Sequence, residues 1–191
     1  MKVLVISASP NINGLTAACA ASALEGIHLS GETAEEARLN DLEISNCLAC
    51  GNGWGTCLND HRCQVEDDFQ ALHARCLAAD ALILITPVYW GEMSECAKAF
   101  LDRLRRCEAT RRAESRLKGK PVIAVAAAGG SGNGSITCLA SMERWIEHVQ
   151  ARKFDFIAVN RWTRPIKIDL IRQSSQLMMQ IMREEAHATP Q

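Results

Sequence analysis

Short apolar segments rich in branched residues alternate along the chain with longer segments of helical periodicity. The apolar segments predict five strands, at residues 2–6, 34–39, 81–86, 121–128 and 154–159. The segments between them predict helices at 15–24, 67–76, 94–106, from 135 onward, and at 168–186. Alternating strands and helices imply parallel pairing through right-handed crossovers. We therefore predict one α/β domain over residues 1–191, a three-layer sandwich with a five-stranded parallel sheet and a cysteine-rich loop at 45–66.

Three local features refine this prediction. The strand ALILIT at 81–86 is apolar at every position, as a strand covered on both faces requires, and we expect it to end at Pro87, which has no N–H to donate. The polar segment 108–120 predicts a surface connection. Ser135 is expected to cap the helix that follows it.

Composition excludes several classes of function. The chain has 191 residues, with 21 Lys and Arg against 22 Asp and Glu, so its charge gives no basis for binding nucleic acid or an anionic membrane. No apolar run is long enough to span a bilayer, and the N-terminal run is too short for a secretory signal. Nine cysteines, several of them in apolar helical patterns, fit a reducing compartment. We expect a cytoplasmic protein.

Three loops follow predicted strands and are expected to meet at the carboxyl edge of the sheet, where open α/β sheets bind ligands. The first, SASPNINGLT at 7–16, brings hydroxyls and amides to a helix N-terminus, which favours phosphate. The second, TPVYWGEMS at 86–94, carries two aromatic residues. The third, AAGGSGNGS at 127–135, is glycine-rich, so its backbone can approach a flat ring. Together they predict a site for a planar ring with one phosphate tail, the shape of FMN.

Other nucleotide and catalytic motifs are missing from the sequence. The first loop has neither the Gly-Lys-Ser/Thr of a P-loop nor the G-x-G-x-x-G dinucleotide fingerprint. No Ser-His-Asp or H-E-x-x-H constellation stands out. We therefore expect a bound cofactor, rather than a side-chain nucleophile or a metal base, to carry the chemistry.

The chain resembles the flavodoxin-like NAD(P)H-dependent FMN reductases, and within them the branch related to iron-sulfur flavoproteins. ASPNINGLT is similar to the phosphate-loop pattern G-S-P-R-x-x-G-x-T, with Ala8 for Gly and Asn11 for Arg. TPVYWGEMS followed by AKAFLDR at 97–103 is similar to S-P-V-Y-x-x-x-x-S and K-x-F-x-D-R, and CQVEDD at 63–68 is similar to C-x-x-x-D-D. The Asn11 difference removes a positive charge from the phosphate loop.

The resemblance implies FMN as cofactor, NAD(P)H as co-substrate, and a homodimer or homotetramer. Residues implied to hold the phosphate are Ser9, Asn11, Asn13, Gly14, Leu15 and Thr16. Residues implied to contact the isoalloxazine are Pro87, Val88, Tyr89, Trp90, Gly129, Gly130, Ser131 and Gly132. The expected reaction passes a hydride from NAD(P)H to flavin N5 and on to a quinone, nitro compound, free flavin or metal ion. The alternative is an electron-transfer flavoprotein, reduced by a redox protein, and a third is a fold that has lost its cofactor.

Four cysteines lie close together in the cysteine-rich loop: Cys47, Cys50, Cys57 and Cys63. In the iron-sulfur branch the first three cysteines are two residues apart, and here Gly53 stands where the third would be. Three alternatives stay open, namely a 4Fe-4S cluster, free thiols, and a zinc site or disulfide. Trp54, flanked by glycines, is expected to be an exposed apolar plate.

Overall fold

Five parallel strands form the sheet in this computed structural model, which describes residues 1–109 and 114–188. In spatial order they are β2 (Thr33–Arg38), β1 (Lys2–Ser7), β3 (Ala81–Tyr89), β5 (Pro121–Ala127) and β6 (Arg152–Val159). A two-residue strand, β4 (Glu92–Met93), pairs antiparallel with the end of β3. The predicted five-stranded parallel sheet is confirmed.

Helices cover both faces of the sheet. One face carries α1 (Leu15–Leu29) and α6 (Arg164–Ala188), and the other carries α3 (Phe69–Ala78), α4 (Glu95–Glu108) and α5 (Ser135–His148). A single turn, α2 (Cys50–Gly53), lies in the cysteine-rich loop. Alternate residues of the central strands enter two separate cores, as Val3 and Leu4 do in β1. This is the predicted three-layer sandwich.

The strand order reverses between β1 and β3. From β1 the chain moves to β2 on one side, and it then returns to β3 on the other side. The carboxyl ends of β1 and β3 are therefore the topological switch point, where a crevice opens in sheets of this order. The loop after β1 and the hairpin after β3 flank that crevice.

The prediction that β3 ends at Pro87 is wrong, because the strand continues to Tyr89. The carbonyl of Ile85 accepts the N–H of Ala8 at 3.0 Å, so alternate residues of β3, Pro87 among them, direct their backbone groups toward β1. Strand β1 ends at Ser7. No ladder bond is lost at Pro87, since the neighbouring strand has already turned away.

The segment 108–120 is not a simple surface connection. Glu108 is fully buried, and its carboxylate lies 2.6 Å from the His73 ring nitrogen and accepts from Arg116 at 2.7 Å. Leu117 is fully buried in the core. Residues 110–113 of this predicted connection lie outside the described residues. This polar segment therefore contains a buried carboxylate, which can be buried because His73 and Arg116 satisfy it.

Helix α5 begins differently from the prediction. Gly134 occupies the N-cap position, and Ser135 is the first helical residue. The buried Ser135 hydroxyl has no hydrogen-bond partner within residues 1–109 and 114–188. Gly134 has φ of 81°, and a Cβ there would lie 2.5 Å from the Cα of Gly91. Two loops approach each other so closely at this point that only glycine fits.

The longest helix, α6, has 25 residues and packs one face against α1. Its buried side chains, including Ile171, Met178 and Met179, belong to the same core as the inner face of α1. Throughout the part of the chain that the structure describes, no helix combines the length and apolarity that crossing a membrane requires.

Candidate cofactor site

Loop one, residues 8–14, joins β1 to α1 and is folded by its own polar side chains. The Ser9 hydroxyl accepts the N–H of Asn11 at 3.3 Å, and the Asn11 side-chain oxygen accepts the N–H of Asn13 at 3.0 Å. Helix α1 starts after Gly14 with no capping side chain from the described residues and no acidic residue in its first turn. The N–H groups of that turn are therefore available to an anionic ligand.

Loop two is the turn between β3 and β4, and it presents an uncovered aromatic surface. Trp90 has φ of 50°, and its side chain is fully exposed. Tyr89 beside it is also exposed. A bulky residue in the left-handed region is uncommon and costs backbone energy. An exposed indole at a ligand-binding edge offers a face on which a planar ring can stack.

Ser94 ties loop one to loop two. Its hydroxyl donates to the carbonyl of Ala8 at 3.1 Å, and its N–H donates to the Thr86 hydroxyl at 3.0 Å. Ser94 occupies the N-cap position of α4 but makes no side-chain capping bond to it among the described residues. The serine that ends the motif TPVYWGEMS therefore positions the two loops.

Loop three, residues 128–134, lies against loop two. The Thr137 hydroxyl donates to the carbonyl of Gly91 at 2.8 Å, beside the Gly91–Gly134 contact. Gly129 and Gly130 have open space where a side chain would stand. Loop three thus presents bare backbone next to the aromatic surface of loop two. One edge therefore carries hydrogen-bond donors for a phosphate, an aromatic surface for stacking and bare backbone, and this combination fits FMN.

The four cysteines of the cysteine-rich loop line a second cavity, here called the thiol cavity, with Arg103, Arg106 and Cys107 of α4. All nine cysteines are free thiols, so the disulfide alternative is not realised. Within the described ranges, no group of three His, Cys, Asp or Glu residues could hold a metal ion. Four thiols on one cavity are the donor chemistry that a 4Fe-4S cluster uses, so the cluster stays a prediction.

A buried arginine holds the cysteine-rich loop on α4. Arg103 donates to the Asp67 carboxylate at 2.6 Å and to the carbonyls of Ser45 and Val65, each at 3.0 Å. Its guanidinium also lies 4.3 Å from the centroid of the Phe69 ring. Burial raises the pKa of Asp67, but the hydrogen bonds from Arg103 and neighbouring backbone outweigh it and lower that pKa to about 2. Two motif segments, CQVEDD and AKAFLDR, thereby meet in one ion pair.

Arg106 and Cys107 of α4 both line the thiol cavity. The guanidinium of Arg106 lies 4.2 Å from the ring centroid of Trp54, and the Trp54 side chain is exposed, as predicted. Cys107 is fully buried, and burial together with nearby Cys63 and Cys57 raises its pKa to about 12. Cys107 therefore stays a protonated thiol.

The model of the NADPH-dependent FMN reductase family matches residues 1–158. The chain belongs to the NADPH-dependent FMN reductase family. This confirms the family predicted from the sequence.

Individual relatives are named iron-sulfur flavoproteins. An iron-sulfur flavoprotein of Methanocaldococcus jannaschii is 34% identical over 105 residues, covering 55% of this chain and 52% of that protein. One from Methanosarcina thermophila is 28% identical over 146 residues, covering 76% of this chain and 73% of that protein. The chain thus spans about half the length of the first of them.

A solved structure shows the same fold at low sequence identity. The NAD(P)H:quinone oxidoreductase from Methanothermobacter marburgensis superposes with a TM-score of 0.70 at 16% identity, covering 93% of this chain and 96% of that chain. The predicted flavodoxin-like fold of this FMN reductase family member is confirmed.

The structure places the predicted FMN residues of this family member on three loops at one edge. Ser9 through Thr16 occupy loop one and the first turn of α1, Pro87 through Trp90 the end of β3 and its hairpin, and Gly129 through Gly132 loop three. Pro87 itself is buried in the sheet, so it shapes the hairpin without presenting its side chain. The contact of each residue with FMN stays a prediction.

Sequence reasoning missed three residues around these sites. Arg38 lines a recess with Ser9 and Thr16, and Trp162 is an exposed indole after β6 at the same edge. Cys107 is a buried core residue, as its apolar helical pattern indicated, but its position beside the four loop cysteines was not predicted. Two of these residues had a signal in the sequence. The pairing of β2 with β1 could have indicated Arg38, and the helical spacing from Arg103 could have indicated Cys107.

The thiol cavity and the FMN edge lie at opposite ends of α4. Ser94 immediately precedes the helix at the FMN edge, and Cys107 is its next-to-last residue. At about 1.5 Å of rise per residue, the two positions are roughly 20 Å apart along the helix axis. Within one chain, Cys107 does not border the FMN edge.

Proposed function

We propose that this protein binds FMN at the edge formed by loops one, two and three, and catalyses NAD(P)H-dependent reduction of a small acceptor. One observation carries the proposal: three loops from the neighbouring strands β1, β3 and β5 are joined to one another by hydrogen bonds and a glycine contact. These loops place hydrogen-bond donors for a phosphate next to an uncovered aromatic surface. Membership of the family supports the same cofactor and co-substrate.

The protein's part is to bind and orient. When bound, FMN supplies the hydride and electron chemistry. Loop one offers the N–H groups of α1 and the Ser9 and Thr16 side chains to the phosphate, while Ser94 holds loop one against β3. Trp90 and the backbone of loop three give the ring two surfaces between which it can lie.

The acceptor we favour is a small planar molecule such as a quinone. Tyr89 and Trp90 leave an aromatic surface open to solvent, which suits an acceptor that stacks and departs. A similar fold serves a protein named NAD(P)H:quinone oxidoreductase. We further propose a homodimer or homotetramer, because an edge this open can be completed by a neighbouring subunit.

The second candidate is an electron-transfer flavoprotein that a redox protein reduces through the cysteine-rich loop. The four thiols lining one cavity favour it, as do relatives named iron-sulfur flavoproteins. Against it stand the separation of roughly 20 Å along α4 and the lack, among described residues, of a three-ligand metal group.

Anaerobic mixing of the FMN-loaded protein with NADPH or NADH separates the two. We expect the flavin absorbance near about 450 nm to bleach within seconds, and a Cys47→Ser, Cys50→Ser variant to bleach at the same rate. Bleaching only by a reduced ferredoxin-like protein would establish the carrier. A folded chain that takes up no FMN would overturn both.

A further inference from the structure

Loop one lacks the positive charge that a bound phosphate monoester calls for. The segment 7–16 contains no Lys or Arg, and Asn11 stands where the family pattern has Arg. Backbone N–H groups at a helix end contribute only about half a unit charge. A phosphate monoester carries close to two negative charges at neutral pH. A cation from outside loop one is therefore expected.

Arg38 is the cation that the fold brings to loop one. It is the last residue of β2, and its Cα pairs in register with that of Ser7, the last residue of β1. Paired residues of neighbouring parallel strands direct their side chains to the same face of the sheet. Arg38 accordingly lines the same recess as Ser9, Asn11 and Thr16.

The Arg38 side chain is held only weakly elsewhere. Its ion pair with Asp41 spans 3.4 Å, and the two side chains are 31% and 58% exposed. Exposed pairs of this kind contribute little, so the guanidinium can turn toward a stronger anion. Glu36 also lines the recess, but it is two residues further from the edge and accepts the Ser7 hydroxyl at 2.5 Å.

Arg161 and Arg164, which follow β6 at this edge, do not line the recess beside loop one. Arg161 stacks at 4.5 Å from the centroid of the Trp162 ring. We infer that Arg38 binds the terminal phosphate of FMN and so makes the site prefer a phosphorylated flavin to riboflavin. This inference rests on the proposed function.

Binding of FMN and riboflavin to an Arg38→Gln variant tests the inference, with quenching of flavin fluorescence as readout. We expect FMN to bind about tenfold more weakly than to the unmodified protein, since a charge-assisted hydrogen bond to phosphate is lost. Riboflavin, which has no phosphate, should bind equally to both. Arg38→Lys should recover part of the loss, because it restores the charge without the planar fork.

Arg172→Gln is the matched control. Arg172 is 30% exposed and pairs with Asp169 three residues away, as Arg38 pairs with Asp41, but it lies on α6. FMN binding by this variant should be unchanged.

The outcomes separate the inference from the proposed function. Unchanged FMN affinity in Arg38→Gln, or equal weakening of FMN and riboflavin, would overturn the inference alone. A protein with its original arginine that binds neither flavin would overturn the proposed function. Circular dichroism of Arg38→Gln, matched to that of the original protein, ensures that weak binding is not a folding defect.

Discussion

The FMN edge and the cysteine-rich loop are both irregular, yet different forces hold them in place. Loops one to three are set by strand ends, by the two hydrogen bonds of Ser94 and by the contact of two glycines. The cysteine-rich loop is held by side chains of α4, through the buried pair of Arg103 with Asp67 and the stack of Arg106 on Trp54. Removing a charged side chain should therefore disturb the cysteine-rich loop more than the FMN edge.

The largest effect is expected from Asp67→Asn, which leaves Arg103 buried without a counter-charge. Breaking a buried pair from one side costs about 3–5 kcal/mol of the free energy of unfolding. Urea denaturation measures this loss, while FMN affinity should stay within about twofold because the pair is remote from loop one. Asp102→Asn is the control, since its exposed pair with Lys98 contributes at most about 1 kcal/mol. Equal stability of the two variants would contradict the contrast between the regions.

Acid should destabilise the protein by protonating two carboxylates, Asp67 and Glu108, at or against α4. Burial raises the pKa values of Asp67 and Glu108, but hydrogen bonds from Arg103 to Asp67, and from His73 and Arg116 to Glu108, lower each to about 2. A carboxyl with a lowered folded-state pKa stabilises the fold above its ordinary pKa, and this contribution is lost as pH falls from about 4.5 toward 2.

The expected loss is on the order of 2 kcal/mol for each of these carboxylates. Urea denaturation between pH 5 and 3 measures it, and Glu108→Gln should flatten the pH dependence. A free energy of unfolding that stays constant over this range would show that neither carboxylate is bound as described.

The smallest effect compares two glycines with similar backbone angles. Gly134 has φ of 81° and Gly31 has φ of 76°, but only Gly134 has another backbone where a Cβ would stand. Gly31→Ala should cost about 1 kcal/mol from backbone strain alone, and Gly134→Ala at least about 1 kcal/mol more, with weaker FMN binding. Equal costs and unchanged FMN binding would mean that loops two and three do not depend on this contact.

The sequence predicted the sheet because its signals are local. Branched apolar runs define the strands, and alternation with helices defines parallel pairing, so the edge that gathers the three loops followed directly. The extension of β3 past Pro87 was missed because it depends on where β1 ends. Glu108 was missed because its burial requires pairing with His73, which lies 35 residues earlier in the chain, and with Arg116.

The candidate site, like the fold, was predictable in its local segments but not in the contacts between them. The motifs named the loops, but the pairing of Arg103 with Asp67 joins residues of two motifs that no spacing rule connects. Arg38 belongs to no motif and reaches loop one only through the β1–β2 register. The pattern of residues alone did not determine the contacts between segments that are distant in sequence.

Calorimetric titration of the protein with FMN and with riboflavin tests the central claim most directly. The account predicts saturable uptake of FMN, with riboflavin bound at least about tenfold more weakly, and a smaller preference when Ser9→Ala and Thr16→Val are combined. Absence of FMN uptake, or equal affinity for the two flavins, would contradict a site that holds its ligand by the phosphate on loop one.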